Sequence, residues 1–177
     1  METRTGKFIV ARPAIEVGFF KHSVVFIYED KPLGHTAGLC LTHRTHMTFG
    51  TVASQFGLQA QTQDDYLYKG GPVNENSLLM LHTPDFESTN TLWTEANICV
   101  SSDTHMVNKL SQGAWPRQYR LVTGVSIWAP GQLDSELARN SWLVCDLPSD
   151  MVFSLEGQTL WNAAIDLYSN NLFSQYI

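Results

Sequence analysis

The sequence predicts an α+β fold, and three observations lead there. Short β-branched and aromatic runs outnumber helical stripes, the two kinds are mixed without strict βαβ alternation, and turn signals are spread evenly with no linker, repeat or low-complexity tract. The 177 residues suit one domain, read as a single unit over residues 1–177. A chain of this length buries roughly two thirds of its unfolded surface, so it needs no disulfide or metal to fold.

Strands come first. Phe8–Ala11 ends at Arg12-Pro13, Ser23–Tyr28 ends before Pro32-Leu33-Gly34, and Ala37–Thr42 is a third apolar run. Phe49, Val52, Ala53 and Phe56 are then spaced i, i+3, i+4, i+7 and followed by Gly57, which predicts a short amphipathic helix. Strands return at Tyr66–Lys69, Leu78–His82 and Asn97–Val100. Ser101-Ser102-Asp103 offers N-cap oxygens to a helix carrying Met106, Val107 and Leu110 and stopping at Gly113. Tyr119–Ile127 reads as a long strand. Pro130-Gly131 opens a helix over Gln132–Trp142, Trp142–Cys145 reverts to strand, and Leu160, Trp161, Ala164, Ile165 and Tyr168 form a last helical stripe.

Composition excludes several function classes. Eleven basic residues are scattered among seventeen acidic ones, a formal charge of −6, with no Lys or Arg after Arg139. Duplex nucleic-acid binding requires clustered cations that displace counterions, so no direct duplex contact is expected. No run approaches the ~20 apolar residues of a membrane span. The opening Met1–Lys7 leads into too short an apolar stretch for a signal peptide, so a cytoplasmic location and no membrane contact are expected. Cys40, Cys99 and Cys145 are far apart, lack a C-x-x-C spacing and lie in strand-like runs, as buried reduced thiols do.

Motifs that would carry catalysis do not close. Gly124-Val125-Ser126-Ile127-Trp128 nearly matches a nucleophile elbow, but Trp128 stands where the turn needs a small residue. His43 and His46 flank Arg44 without a nearby carboxylate, so no metal site is expected. His22 beside Ser23 would diverge if both were strand residues, because neighbours point to opposite faces. Gly70-Gly71-Pro72 lacks the Lys-Ser/Thr of a phosphate loop and marks a sharp turn. The expectation is no catalytic residue and no cofactor. The most informative stretch is Trp128–Trp142. Gln132, Glu136 and Asn140 at i, i+4, i+8 share one helical face, where they either line a cleft between tryptophans or cap neighbouring turns.

At these residues the chain resembles the bacterial YqgE/AlgH family, often labelled transcriptional regulators. The family's V-Y-x-G-G-P-V turn is similar to Leu67–Val73. Its G-Y-x-x-W-x-x-G-Q-L-E-x-E-x-x-x-N-x-W block resembles Gly124–Trp142, with Gly124, Trp128, Gly131, Gln132, Leu133, Glu136, Asn140 and Trp142 in place and Asp134 for Glu. Gly6–Pro13, Phe20–Val24, Gly38-Leu39, His82, Ser88-Thr89, Ser101 with Asp103, Gly113 with Pro116, and Trp161 extend the similarity. Departures fall at Val17-Gly18 for Asp-Pro, His22 for Arg, Thr42-His43-Arg44 for Asn-Arg-Pro, Ser77-Leu78 for Arg-Gly, and Trp115 for Gly. The resemblance implies an α+β fold with a bifurcated, mostly antiparallel sheet partly closed into a small barrel and surrounded by helices.

Two readings of function follow. The first is a non-enzymatic regulatory or interaction protein with a protein partner, which suits an uncharged polar surface. The second is a small-molecule binder or enzyme with a cleft where the Gly70, Gly71, Pro72 turn meets the helix carrying Gln132, Glu136 and Asn140, beside Trp128.

Overall fold

The computed structural model describes residues 2–59 and 65–176. Its strands are β1 (Phe8–Ala11), β2 (Val24–Asp30), β3 (Thr36–Cys40), β4 (Arg44–Thr48), β5 (Tyr66–Lys69), β6 (Val73–His82), β7 (Leu92–Trp93), β8 (Cys99–Ser101), β9 (Tyr119–Trp128) and β10 (Trp142–Cys145). The helices are α1 (Phe49–Gln55), α2 (Thr104–Ser111), α3 (Gln132–Ala138), α4 (Ser149–Ser154) and α5 (Gly157–Ser174).

The sheet runs β10-β1-β2-β3-β9-β6-β8-β7, with β4 and β5 off this path. Among the described strands only β5 and β9 pair in parallel. The split expected from the resemblance sits at β9. One edge of β9 pairs with β6. Its other edge takes β5 at Val122 and Thr123, then β3 at Ser126, Ile127 and Trp128. The divergence curls the sheet into a half-barrel with helices around it.

The continuous apolar runs of β1, β2 and β3 arise because both faces are covered. Phe8, Val10, Val24, Phe26, Leu39 and Leu41 enter a core closed by Val152, Leu160, Trp161 and Ala164. Ile9, Ala11, Val25, Ile27 and Cys40 point the opposite way, into a core with Trp128, Leu133 and Trp142. A third core packs α1 and α2 on Leu67, Met80 and Leu121. Thr48 and Asp103 cap α1 and α2 by accepting from the backbone amides of Thr51 and Met106.

Three expectations need correction. The helix expected over Gln132–Trp142 ends at Ala138: Asn140 turns left-handed at φ 58°, and Trp142 begins β10. His22 is not a strand residue. It has φ 54°, and its ring lies 4.4 Å from that of Trp161. The strand expected over Asn97–Val100 is Cys99–Ser101, because Asn97 turns at φ 57°. Strands β4 and β7 and helix α4 are additions. β4 is polar and mostly exposed, β7 has two residues, and α4 has only six.

Candidate functional site

Gly70 and Gly71 occupy the fork between β3 and β9. The Gly70 amide donates to Thr123 O (2.8 Å), and Gly70 O accepts from the Cys40 amide and Ser126 Oγ (both 2.9 Å). A Cβ on Gly70 would lie 2.3 Å from Gly124 O, and one on Gly71 2.1 Å from Val125 O. Two bare backbones meet here because no side chain fits between them. Pro72 is exposed at the turn into β6. The amide and carbonyl of Gly70 are thus satisfied by β3 and β9 rather than by α3. Ser126, inside β9 and buried, serves this fork.

Trp128, Gln132 and Glu136 do come together. The indole Nε1–H groups of Trp128 (3.0 Å) and Trp142 (2.7 Å) both donate to Glu136 Oε2, while Gln132 Nε2 donates to Oε1 (3.0 Å). Gln132 Oε1 accepts from the Ala129 amide (3.0 Å), closing the start of α3. Phe20 stacks on Trp128 at 5.6 Å and meets Trp142 edge-on at 5.2 Å. Asn140 stands outside this network, in the left-handed turn that closes α3 through its amide to Leu137 O (2.9 Å). The column expected along one helical face is a carboxylate fastening the end of β9 to the start of β10.

Two histidine networks escaped sequence reading. His43 Nε2 lies 3.0 Å from Ser23 Oγ and beside Phe19 O; burial pushes the Cys40 thiol up most strongly, but His43 and Thr42 together outweigh it and lower the thiol. Ser23 and Cys40 are wholly buried, so neither can meet a substrate in this arrangement. His82 is also wholly buried. Its Nδ1–H donates to Thr83 O (2.7 Å), which leaves Nε2 to accept from Ser101 Oγ (2.9 Å). Ser101 continues to Thr91, and Ser88 reaches Asp103. Thr91 Oγ1 lies 3.5 Å from Ser88 Oγ, so a polar chain runs from the buried His82 through Ser101, Thr91 and Ser88 to the half-buried Asp103. Among the described residues no three His, Cys, Asp or Glu side chains gather as a metal site.

A polar cavity of about 180 Å³ opens instead where β4, β5 and β9 face the α4–α5 junction, with Arg44, Tyr66, Tyr68, Arg120, Phe153 and Glu156 in its lining. None of the seven residues expected at a site lines it. Arg120 is 4% exposed, and it donates to Leu41 O and Leu155 O (both 2.9 Å) and Phe153 O (3.4 Å). Its guanidinium lies over the Tyr68 ring, 4.6 Å from the centroid. The Tyr68 hydroxyl is buried and has no hydrogen-bond partner among the described residues. Burial pushes the Tyr68 phenol up, with Arg120 opposing, and the Glu156 carboxylate, near the hydroxyl but outside good hydrogen-bond geometry, adds to the rise. At the rim Arg44 stacks on Tyr66 and lies 3.8 Å from Glu156. The signal that could have exposed this cavity was Arg120 itself, a cation in the middle of an apolar strand.

The fold class is therefore α+β with a half-barrel sheet. The chain belongs to the AlgH-like family, whose model matches residues 8–172. A UPF0301 protein of Vibrio vulnificus is 32% identical over 171 residues, covering 92% of this chain and 90% of its own. One from Methylococcus capsulatus is 31% identical over 163 residues, covering 91% and 89%. The solution structure of AlgH from Pseudomonas aeruginosa superposes with a TM-score of 0.77 at 22% identity, over 92% of this chain and 87% of that one. A crystal structure from Corynebacterium diphtheriae gives 0.69 at 24%, over 93% and 86%. At these identities the two structures carry the fold alone.

Proposed function

We propose that this protein is a non-enzymatic binding protein of regulatory type, which holds a small polar ligand in the cavity between Arg44, Tyr68 and Arg120. One observation carries the reading: a buried guanidinium from β9, held by neutral carbonyls, forms the cavity wall beside an unpartnered phenol. Buried polar groups are nearly always satisfied, so the phenol takes its partner, water or ligand, from whatever fills the cavity. Burial lowers the Arg120 guanidinium from its usual high value, opposed by Tyr68 and Glu156, and leaves it charged at neutral pH. The Tyr68 phenol stays protonated there. Neither group is poised to exchange a proton at neutral pH, so acid–base chemistry has no support here.

Regulation enters through Arg120, which links the exit of β3 at Leu41 to Phe153 and Leu155 at the α4–α5 junction. An occupant on Arg120 would tighten the docking of α5, and a protein partner would read that change. The reading retains a cytoplasmic location and excludes duplex DNA as a partner. Among the described residues no helix is long and apolar enough to cross a membrane.

The test is a heteronuclear NMR map of the full chain with a low-molecular-weight extract of its host cells. Shifts should cluster at Arg44, Tyr66–Lys69, Arg120-Leu121 and Phe153–Glu156. Shifts confined to the larger crevice lined by Arg4, Leu33 and Gly131 would contradict the proposal.

A further inference from the structure

We infer that the ligand of the Arg44–Tyr68–Arg120 cavity is a small monocarboxylate, an inference that rests on the binding function proposed above. Charge is the first argument. Arg44 and Glu156 at the rim have side chains 50% and 60% exposed, so they largely offset one another and Glu156 reaches Arg120 only as a water-screened charge. Asp65 accepts a hydrogen bond from Tyr119 Oη (2.7 Å). Arg120 is the buried cation of the set, and among the described residues it makes no salt bridge. A buried charge favours a counter-charge of equal size. One negative charge meets that need, whereas a dianion would leave excess negative charge beside Asp65 and Glu156.

Donor geometry is the second. A guanidinium carries five N–H donors, and three hydrogen bonds already run from Arg120 to carbonyl oxygens. The remaining donors and the Tyr68 hydroxyl sit on stacked groups, the guanidinium 4.6 Å from the ring centroid. Two carboxylate oxygens can accept one bond from each. Size is the third. A cavity of about 180 Å³ is smaller than the roughly 300 Å³ at which drug-sized pockets begin. The lining is mainly polar, which leaves room for no more than a short tail on the carboxylate.

The experiment titrates the isotopically labelled full chain with acetate, with neutral acetamide of the same shape, and with inorganic phosphate, at constant ionic strength and neutral pH. The Arg120 Nε–H and the amides of Tyr68, Leu121 and Glu156 are followed. Acetate should shift them saturably, acetamide should bind at least about tenfold more weakly, and phosphate should bind no tighter than acetate. Tyr68→Phe keeps the ring against Arg120 and should weaken acetate about tenfold. Equal binding of acetate and acetamide would remove the charge argument while the binding function stood. Tighter phosphate would replace the carboxylate with a larger oxyanion. Full acetate affinity in Tyr68→Phe would overturn the two-donor geometry. Absence of a saturable shift with all three probes would overturn both this inference and the binding function.

Discussion

Gly71 lies so close to β9 that even a methyl group would overlap the Val125 carbonyl at 2.1 Å. Gly71→Val should therefore cost at least ~3 kcal/mol or prevent folding, because backbone rather than a mobile side chain blocks the space. Unchanged thermal stability of that variant would show that the fork tolerates a side chain. Glu136 is a shared acceptor for two indoles. Glu136→Gln removes the charge that strengthens both bonds and introduces competing donors, so a loss of about 1–3 kcal/mol is expected in denaturant unfolding followed by tryptophan fluorescence. Burial holds His82 below its usual range, against the smaller opposing effects of Thr83 O and Asp85. The unfolded chain then takes up this proton first as pH drops. His82 stabilisation is intact above about pH 6.5 and lost as pH falls from there toward the folded value. His43 is raised, chiefly by its bond to Cys40, and works in the opposite sense, so the comparison must be with a variant. The wild-type melting temperature minus that of His82→Gln should shrink on acidification below about pH 6.5; a constant difference would contradict this.

At the scale of elements, the strands that faced two cores were legible, because β1 to β3 carry apolar side chains on both faces. Helices α1 and α2 were legible from an apolar stripe and a cap. The end of α3 was misplaced because Asn140 reads as a helical residue until its left-handed turn is seen, and i+8 spacing holds only while the helix continues. The polar strand β4 carried no apolar period at all. The tryptophans expected in the core or at its edge are 1%, 3% and 7% exposed at Trp128, Trp142 and Trp161. Trp161 fastens α5 to β1 by donating from Nε1 to Ala11 O (2.7 Å). Trp142→Ala should cost roughly 3–5 kcal/mol, since it leaves a cavity and takes one donor from Glu136. A melting temperature close to wild type would show that α3 and β10 hold together without it.

For the molecule as a whole, the fold class and the family block could be read from the chain, but the cavity could not. Arg44, Tyr68, Arg120 and Glu156 are spread over more than a hundred positions and meet only because β5 pairs with both β4 and β9. The recognisable motifs lie elsewhere, with Gly70 and Gly71 at the sheet's fork and Glu136 at the joint between β9 and β10. Scattered cations on a chain of formal charge −6 predict no salt-dependent mobility shift with random-sequence duplex at physiological salt, and a micromolar shift would contradict this. The central claim, that the protein recognises a ligand between β9 and the α4–α5 junction, is tested most directly by a high-resolution crystal structure of the full chain soaked in acetate. The account predicts density for the carboxylate within hydrogen-bond distance of both Tyr68 Oη and Arg120. A cavity holding only water that bridges Tyr68 to Glu156, at full acetate occupancy elsewhere, would contradict it.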